Sequence, residues 1–259
     1  MKFAIFDFDG TLSLIREGWQ KVMKQYFLEV LRDTPEGKRE SEKSLMECVD
    51  YFVDINTGKQ TIYQCIDLVE ECKKRNGEPM EALDYKDEYL RRLMKEIEYR
   101  IRGIEDGTID PLEYTVPGSL DILRKLKERG VKIYVASGTD EEFARHEADI
   151  LGVSEIVEHH VYGAQRDYKS FSKKMVIEQI IRDYHLQRYE LVGFGDGFVE
   201  IENVSEIGGF AVGVATNEKE HDGTVDEWKR ERLIRAGANI IIPDFQESER
   251  LIQYLFEEV

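Results

Sequence analysis

The chain has 259 residues, enough to bury the core of one large domain or of two smaller ones. Its formal net charge of −17 argues against nucleic acid or an anionic membrane surface as a general partner. No apolar run approaches the ~20 residues of a membrane helix, and the apolar segment before Asp7 is too short for the core of a signal peptide. We therefore expect a cytoplasmic protein.

A short apolar segment near the N-terminus ends in two carboxylates. Residues 3–6 are predicted to form a strand buried on both faces. Because side chains two residues apart on an extended backbone point the same way, Asp7 and Asp9 should face one small volume. Two carboxylates this close favour a shared proton or a bound cation, and Mg²⁺ suits such oxygen ligands. These two residues alone favour a simpler interpretation, an exposed strand end with an acidic turn.

The remainder of the chain divides into a helical half and an alternating half. Residues 12–102 show helical spacing of apolar positions, and glycine and proline cluster between residues 103 and 118. Beyond this point short apolar segments alternate with amphipathic ones. Strands are predicted at 131–136, 191–194, 210–214 and 240–242. Helices are predicted at 119–129, 140–150, 172–184 and 246–256, and another between the strands 191–194 and 210–214. This alternation predicts an α/β fold, in which a parallel sheet also includes residues 3–6 and the helical segment is an insertion.

A second polar cluster follows the predicted strand 131–136. Ser137 and Gly138 precede a predicted helix, where a hydroxyl and free backbone N–H groups can bind an anion. An ordinary turn, with Thr139 or Asp140 as the helix N-cap, is the alternative interpretation.

A third cluster follows the predicted strand 191–194. Asp196 lies at the strand end, and Glu200 follows one helical turn later on the same side. A turn with Asp196 as an N-cap would also explain this pattern. However, ligands of parallel α/β sheets bind at the carboxyl ends of the strands, so the convergence of several polar strand ends there favours a site.

A lysine near these carboxylates would supply the positive charge that a bound phosphate needs. Three lysines, Lys169, Lys173 and Lys174, precede or open the helix predicted at 172–184. We rank Lys173 first, because its spacing to the apolar positions fits that helix, and Lys169 second.

These clusters, in this order, resemble the four motifs of the haloacid dehalogenase (HAD) superfamily, in its phosphatase branch with a helical cap between the first two motifs. The matching residues are Asp7 to Thr11, Ser137 to Thr139, Lys173, and Gly195-Asp196 with Glu200. The resemblance implies a Rossmann-like, doubly wound parallel sheet with an inserted all-helical cap. It places the catalytic core at residues 1–14 and 114–259 and the cap at residues 15–113.

The resemblance also implies a role for each matching residue. Asp7 would be the nucleophile that forms an aspartyl-phosphate, and Asp9 the general acid and base. Ser137, Gly138 and Lys173 would hold the phosphoryl oxygens. Mg²⁺ would be held by a set of oxygen ligands from Asp7, the backbone carbonyl of Asp9, Asp196 and Glu200.

The acid at position 9 distinguishes between reactions within the family, because the dehalogenase members lack it. We therefore predict a Mg²⁺-dependent phosphatase that acts on a small phosphorylated metabolite such as a sugar phosphate. Arg16 and Trp19 follow the first motif, where an inserted cap begins. Arg16 could bind a distal anion of the substrate and Trp19 could stack on an apolar or sugar face, although a surface arginine and a core tryptophan are the commoner roles.

Two other functions remain open on the sequence alone. A phosphoryl mutase of the phosphoglucomutase-like kind uses the same motifs, but it turns over only with a bisphosphate activator. A non-catalytic binding or regulatory protein could keep the fold, although the intact set of acids and lysine argues against it. The sequence leaves the oligomeric state open.

Overall fold

The structure is a computed structural model, and it describes residues 1–220 and 222–256. Six parallel strands form one sheet in the order β3-β2-β1-β4-β5-β6. The strands are β1 (Phe3–Phe6), β2 (Lys132–Asp140), β3 (Val161–Ala164), β4 (Leu191–Gly195), β5 (Phe210–Val214) and β6 (Ile240–Ile242). This is the order of a doubly wound α/β fold. The strands β1 to β3 follow one another toward one edge of the sheet and the strands β4 to β6 toward the other, so the strand order reverses between β1 and β4.

The described residues also form eleven α-helices. They are α1 (Trp19–Asp33), α2 (Glu42–Ile55), α3 (Ile62–Lys74), α4 (Ala82–Glu105), α5 (Ser119–Glu128), α6 (Glu141–Ile150), α7 (Val153–Ile156), α8 (Lys173–Tyr184), α9 (Phe198–Glu206), α10 (Glu227–Arg235) and α11 (Ser248–Phe256). Among the described residues, no helix has both the length and the apolar character needed to cross a membrane.

The central strand β1 is apolar because it is buried on both faces. Its register places Phe6 opposite Val135 of β2 and Phe194 of β4. The rings of Phe6 and Phe194 stack with their centroids 4.2 Å apart. The chain that follows Phe6 therefore emerges at the carboxyl edge of the sheet, between the ends of two neighbouring strands.

The chain divides into two compact units. The first contains residues 1–17 and 100–259, and the second contains residues 18–99. The first unit holds the whole sheet with α5 to α11, and the second holds α1 to α3 and most of α4. The division at Tyr99 falls within the continuous helix α4, a few residues before the change in composition at Gly103. The assignment of residues 15–113 as a cap and of the rest as a catalytic core stays a prediction.

The second unit is all-helical in its regular structure, as the spacing of its apolar residues predicts. Buried side chains of α1 and α2 meet in its core, where the rings of Phe27 and Phe52 lie 5.7 Å apart. Its cysteines Cys65 and Cys72 are buried and unpaired. The α/β fold class with a Rossmann-like sheet and a helical insertion is thus confirmed.

Three features of the first unit differ from the sequence-based expectation. Strand β2 continues to Asp140, so Ser137 and Thr139 lie on an extended strand and not in a strand-to-helix turn. Strand β3 and helix α10 have no counterpart among the predicted elements. Helix α6 begins after Asp140, whose side chain makes no capping hydrogen bond.

Candidate active site

Asp7 lies at the point where the strand order reverses. Its backbone N–H donates to the carbonyl of Phe194, 2.8 Å away, which continues the pairing of β1 with β4 by one residue. The side chain is buried, and its Oδ1 accepts a hydrogen bond of 2.8 Å from the backbone N–H of Phe8. The carboxylate is therefore held in one orientation at the carboxyl edge of the sheet.

Lys173 connects Asp7 to Glu200. Ser172 caps α8 by accepting a hydrogen bond from Met175 N–H, and this cap starts the helix at Lys173. The Nζ atom of Lys173 lies 2.7 Å from Asp7 Oδ1 and 2.8 Å from Glu200 Oε2. Although burial lowers the pKa of Lys173, the two carboxylates raise it above its ordinary value overall, so the lysine stays charged.

The other two candidate lysines lie elsewhere. Lys169 is in a short 3₁₀ turn at residues 168–170, and its ammonium lies 5.8 Å from the centre of the Tyr168 ring. Lys174 is exposed and pairs with Glu206 at 3.2 Å. Of the three lysines, Lys173 is the one that the fold brings to Asp7.

Glu200 is buried because Gly195 leaves room for it. A Cβ atom on Gly195 would lie 2.1 Å from Glu200 Cγ. The Oε1 atom of Glu200 accepts a hydrogen bond of 2.8 Å from Gly197 N–H, and Oε2 pairs with Lys173. Both carboxylate oxygens thus have partners, which fixes the side chain at the start of α9.

Asp196 follows β4 and lies against Gly10. Its backbone N–H donates to the hydroxyl of Thr11, 3.0 Å away. Gly10 has a positive φ of 74°, and a Cβ atom there would lie 2.2 Å from Asp196 Oδ2. Glycine at position 10 therefore provides both the turn and the space for the Asp196 carboxylate. One carboxylate oxygen from each of Asp7, Asp196 and Glu200 lies within 4.8 Å of the other two.

The Asp9 carboxyl group accepts hydrogen bonds from two hydroxyl groups of β2. Ser137 Oγ and Thr139 Oγ1 each donate to Asp9 Oδ2 at 2.9 Å. Among the described residues, Asp9 Oδ1 is buried without a hydrogen-bond partner. Ser137 Oγ also accepts from Thr139 N–H at 2.9 Å, and Gly138 lies between the two hydroxyl residues. The sequence indicates Thr139 as a possible helix cap and as the last residue of the second motif, but not as a partner of Asp9; its two-residue spacing from Ser137 on a strand is the signal for this contact.

Arg16 belongs to the first unit and is buried. Its guanidinium forms a forked pair with Glu147 of α6, in which Nη2 lies 2.6 Å from Oε1 and Nε lies 3.1 Å from Oε2. Nε also lies 3.8 Å from Asp9 Oδ1. Trp19 is half-buried at the start of α1 in the second unit. The proposed substrate contacts of Arg16 and Trp19 stay predictions.

Sequence reasoning missed a second buried lysine, Lys229 of α10. Its Nζ lies 2.8 Å from Asp196 Oδ2, and it also pairs with Glu218. Asp226 caps α10 and accepts from the Lys229 N–H at 3.0 Å, which holds the lysine in the first turn. A lysine in such a charged helix is normally solvated, so the sequence carries no clear signal for this contact.

The carboxylates of this cluster are held in an environment that disfavours their charge. Burial, and then the neighbouring Glu200, raise the pKa of Asp7 well above its usual value, while Lys173 opposes the shift. Burial also raises the pKa of Asp196 to about 6, against the lowering effect of Lys229. The site therefore favours a further positive charge.

The counted charges point the same way. With all four carboxylates ionised, they exceed the two ammonium groups by two negative charges, the amount that one divalent cation neutralises. The carboxylates are Asp7, Asp196, Glu200 and Glu218, and the ammonium groups are Lys173 and Lys229. Oxygen donors of this kind suit Mg²⁺.

The family follows from comparison with known proteins. Residues 1–204 match the family model described as haloacid dehalogenase-like hydrolase. Because the match spans most of the chain, this protein belongs to the haloacid dehalogenase-like hydrolases. The resemblance noted in its motifs is confirmed, as is its assignment as a hydrolase of this family. No curated protein sequence matches the chain.

Solved structures share the fold at low sequence identity. One is a predicted phosphoglycolate phosphatase from Haemophilus somnus, at 16% identity, a TM-score of 0.62 and 98% coverage of both chains. Another is a HAD family hydrolase from Deinococcus radiodurans with bound phosphate and sodium, at 16% identity, a TM-score of 0.56, and 98% coverage of this chain and 96% of that one. A third is CbbY from Rhodobacter sphaeroides in complex with phosphate, at 17% identity, a TM-score of 0.58, and coverage of 95% and 96%.

Proposed function

We propose that this protein is a Mg²⁺-dependent phosphatase that hydrolyses a small phosphorylated metabolite through an aspartyl-phosphate on Asp7. The observation that carries the proposal is the position of Asp7. Its carboxylate is buried at the switch point of the sheet, paired with Lys173 at 2.7 Å and within 4.8 Å of two further carboxylates. Such a group can attack an anionic phosphate only when nearby positive charge offsets the repulsion.

The residues at this edge fit a divalent cation. Three carboxylate oxygens lie within 4.8 Å of one another, and the carboxylates of the cluster, when ionised, outnumber its two ammonium groups by two. Asp7, the backbone carbonyl of Asp9, and Asp196 would hold Mg²⁺, with Glu200 in support. When bound, the ion neutralises charge on the phosphoryl group and on the carboxylates around it.

In the first half of the reaction, a carboxylate oxygen of Asp7 attacks phosphorus. The bond between Asp7 and phosphorus forms as the bond to the leaving oxygen breaks, and Asp9 gives its proton to that oxygen. Lys173 stabilises the negative charge of the phosphoryl oxygens. Ser137 and Thr139 both donate to Asp9 Oδ2, and these hydrogen bonds hold the Asp9 carboxyl group in place for proton transfer.

In the second half, Asp9 acts as a base. It takes a proton from a water molecule whose oxygen attacks phosphorus, and the bond between phosphorus and Asp7 breaks. Inorganic phosphate leaves, Asp7 is again a carboxylate, and Asp9 again carries a proton. Dividing one difficult displacement into two steps with a well-placed acid and base is the advantage of this arrangement.

The substrate class is a small phosphate monoester such as a sugar phosphate. Two solved structures with this fold contain bound phosphate, and a third is described as a predicted phosphoglycolate phosphatase, which supports this class. A net charge of −17 disfavours nucleic acid as a partner. We expect a cytoplasmic protein, and this location stays a prediction.

An aryl-phosphate assay tests the proposal. Release of nitrophenol from p-nitrophenyl phosphate should require Mg²⁺ and should fall at least about 10³-fold in Asp7→Asn, because the amide is a poor nucleophile. Asp149→Asn, at an exposed position of α6, is the matched control. Full activity in Asp7→Asn would overturn the assignment of the nucleophile. Isomerisation of a sugar phosphate that depends on a bisphosphate activator would indicate the mutase instead.

A further inference from the structure

We propose that Lys229 and Glu218 form a clamp that positions the Asp196 carboxylate for cation binding. The two residues are positioning residues, which act through Asp196. This inference rests on the proposed function, because it takes Asp196 to be a ligand of the cation.

The clamp joins three separate segments of the first unit. Lys229 lies in the first turn of α10, Glu218 lies in the loop after β5, and Asp196 follows β4. The Nζ atom of Lys229 is 2.8 Å from Asp196 Oδ2 and also pairs with Glu218. The side chain of Lys229 is only 10% exposed, so solvent screens these ion pairs little.

The backbone around the clamp is fixed by its own hydrogen bonds. Asp226 N–H donates to the carbonyl of Ala215 at 2.9 Å, and Thr216 pairs with Val225 in an antiparallel bridge. The loop between β5 and α10 is thus closed at its base. Glu218 lies within this loop, and Lys229 lies in the first turn of the helix that follows it.

Gly10 lies against the Asp196 and Glu218 carboxylates. A Cβ atom at Gly10 would lie 2.2 Å from Asp196 Oδ2 and 3.0 Å from Glu218 Oε1. Asp196 Oδ2 therefore lies close to Gly10 and is paired with the Lys229 ammonium, while the Thr11 hydroxyl accepts a hydrogen bond from the Asp196 backbone N–H at 3.0 Å. A carboxylate constrained at one oxygen has a defined direction for the other. Groups that orient a metal ligand in this way typically change metal affinity 10- to 100-fold when they are removed.

A simpler role for Lys229 would be that of a countercharge. A positive charge beside Asp196 repels a divalent cation, so in that case its removal should tighten cation binding. If Lys229 positions Asp196, its removal should instead weaken cation binding. A conservative change that keeps every charge but alters the reach of the clamp separates the two roles further.

The experiment measures Mn²⁺ affinity by the loss of the free-ion signal in electron paramagnetic resonance. The clamp predicts about tenfold weaker binding in Lys229→Met and in the charge-balanced double variant Glu218→Gln/Lys229→Met. Glu218→Asp keeps the charges but shortens the anchor by one methylene, and it should weaken binding by at least about threefold. Lys229→Arg should recover much of the affinity. The control is Lys174→Met/Glu206→Gln, an exposed pair of the same kind between α8 and α9.

The outcomes separate the clamp from the proposed function. Tighter Mn²⁺ binding in Lys229→Met, or unchanged binding in both the double variant and Glu218→Asp, would overturn the clamp and leave the phosphatase proposal standing. Unchanged binding in Asp196→Asn would overturn both, because the cation would then lie elsewhere. Circular dichroism and urea unfolding identify any variant that does not fold, and Glu218→Asp, the mildest change, then decides the result.

Discussion

Lys173 Nζ lies 2.7 Å from Asp7 Oδ1, and both side chains are at most 6% exposed. A buried carboxylate and a buried ammonium are each costly alone, and together they place a fixed positive charge beside the proposed nucleophile. This pair joins the first strand of the chain to a helix more than 160 residues later. The proposed chemistry depends on that pairing.

Replacement of Lys173 should affect both activity and stability. Lys173→Met should lower kcat/KM for p-nitrophenyl phosphate about 10²- to 10³-fold, because a donor to the developing charge is lost. It should also reduce the free energy of unfolding by about 3 to 5 kcal/mol, because Asp7 and Glu200 lose their partner. Steady-state kinetics and urea unfolding measure the two effects.

The neighbouring lysines provide the controls for that experiment. Lys169→Met and Lys174→Met should retain activity, since one lies against Tyr168 and the other pairs with Glu206 at an exposed site. Full activity in Lys173→Met together with a large loss in Lys169→Met would assign the phosphate-binding lysine to position 169.

Gly195 should be sensitive even to alanine. Its added Cβ atom would lie 2.1 Å from Glu200 Cγ, so Glu200 must shift and Gly195→Ala should destabilise the fold by about 1 to 3 kcal/mol. In the variant Glu200→Ala the clashing Cγ atom is absent. The double variant should therefore lose less stability than the sum of the two single variants. Strict additivity in urea unfolding would contradict this packing account.

Arg16 and Glu147 should behave as one buried unit. Glu147 is fully buried and its forked pair with Arg16 reaches 2.6 Å, so Glu147→Gln or Arg16→Met alone should destabilise the fold by about 3 to 5 kcal/mol. The double variant Arg16→Met/Glu147→Met leaves no unpaired charge and should be more stable than Arg16→Met. A double variant less stable than both single variants would show that loss of the ion pair is not the main cause of their destabilisation.

The same Arg16→Met variant tests substrate binding. An increase in KM confined to substrates with a second anionic group would support the predicted substrate role of Arg16.

Some features were predictable from sequence because they rest on local patterns. The apolar segment at residues 3–6, its two following acids and the Gly-Asp-Gly turn predict strand ends, and strand ends of a parallel sheet share one edge. The structure brings Asp7, Asp196 and Glu200 together there. The helical segment after residue 18 was also predictable, because its apolar residues recur at helical spacing.

Other features were not predictable because their sequence signals are weak. β3 has only four residues, Val161–Ala164, and two histidines precede it. α10 is highly charged and buries few residues, so its pattern resembles a solvated segment. Lys229 and Glu147 are buried only because distant parts of the chain supply their partners, and neither residue type indicates burial by itself.

The central claim is that Asp7 becomes phosphorylated during turnover. The direct measurement mixes the protein with Mg²⁺ and ³²P-labelled p-nitrophenyl phosphate, stops the reaction with acid within milliseconds, and locates the label by mass spectrometry of the peptides. The account predicts a transient acyl-phosphate on the peptide containing Asp7, absent in Asp7→Asn. Label on another residue, or full turnover with no label on the protein at any time, would contradict it.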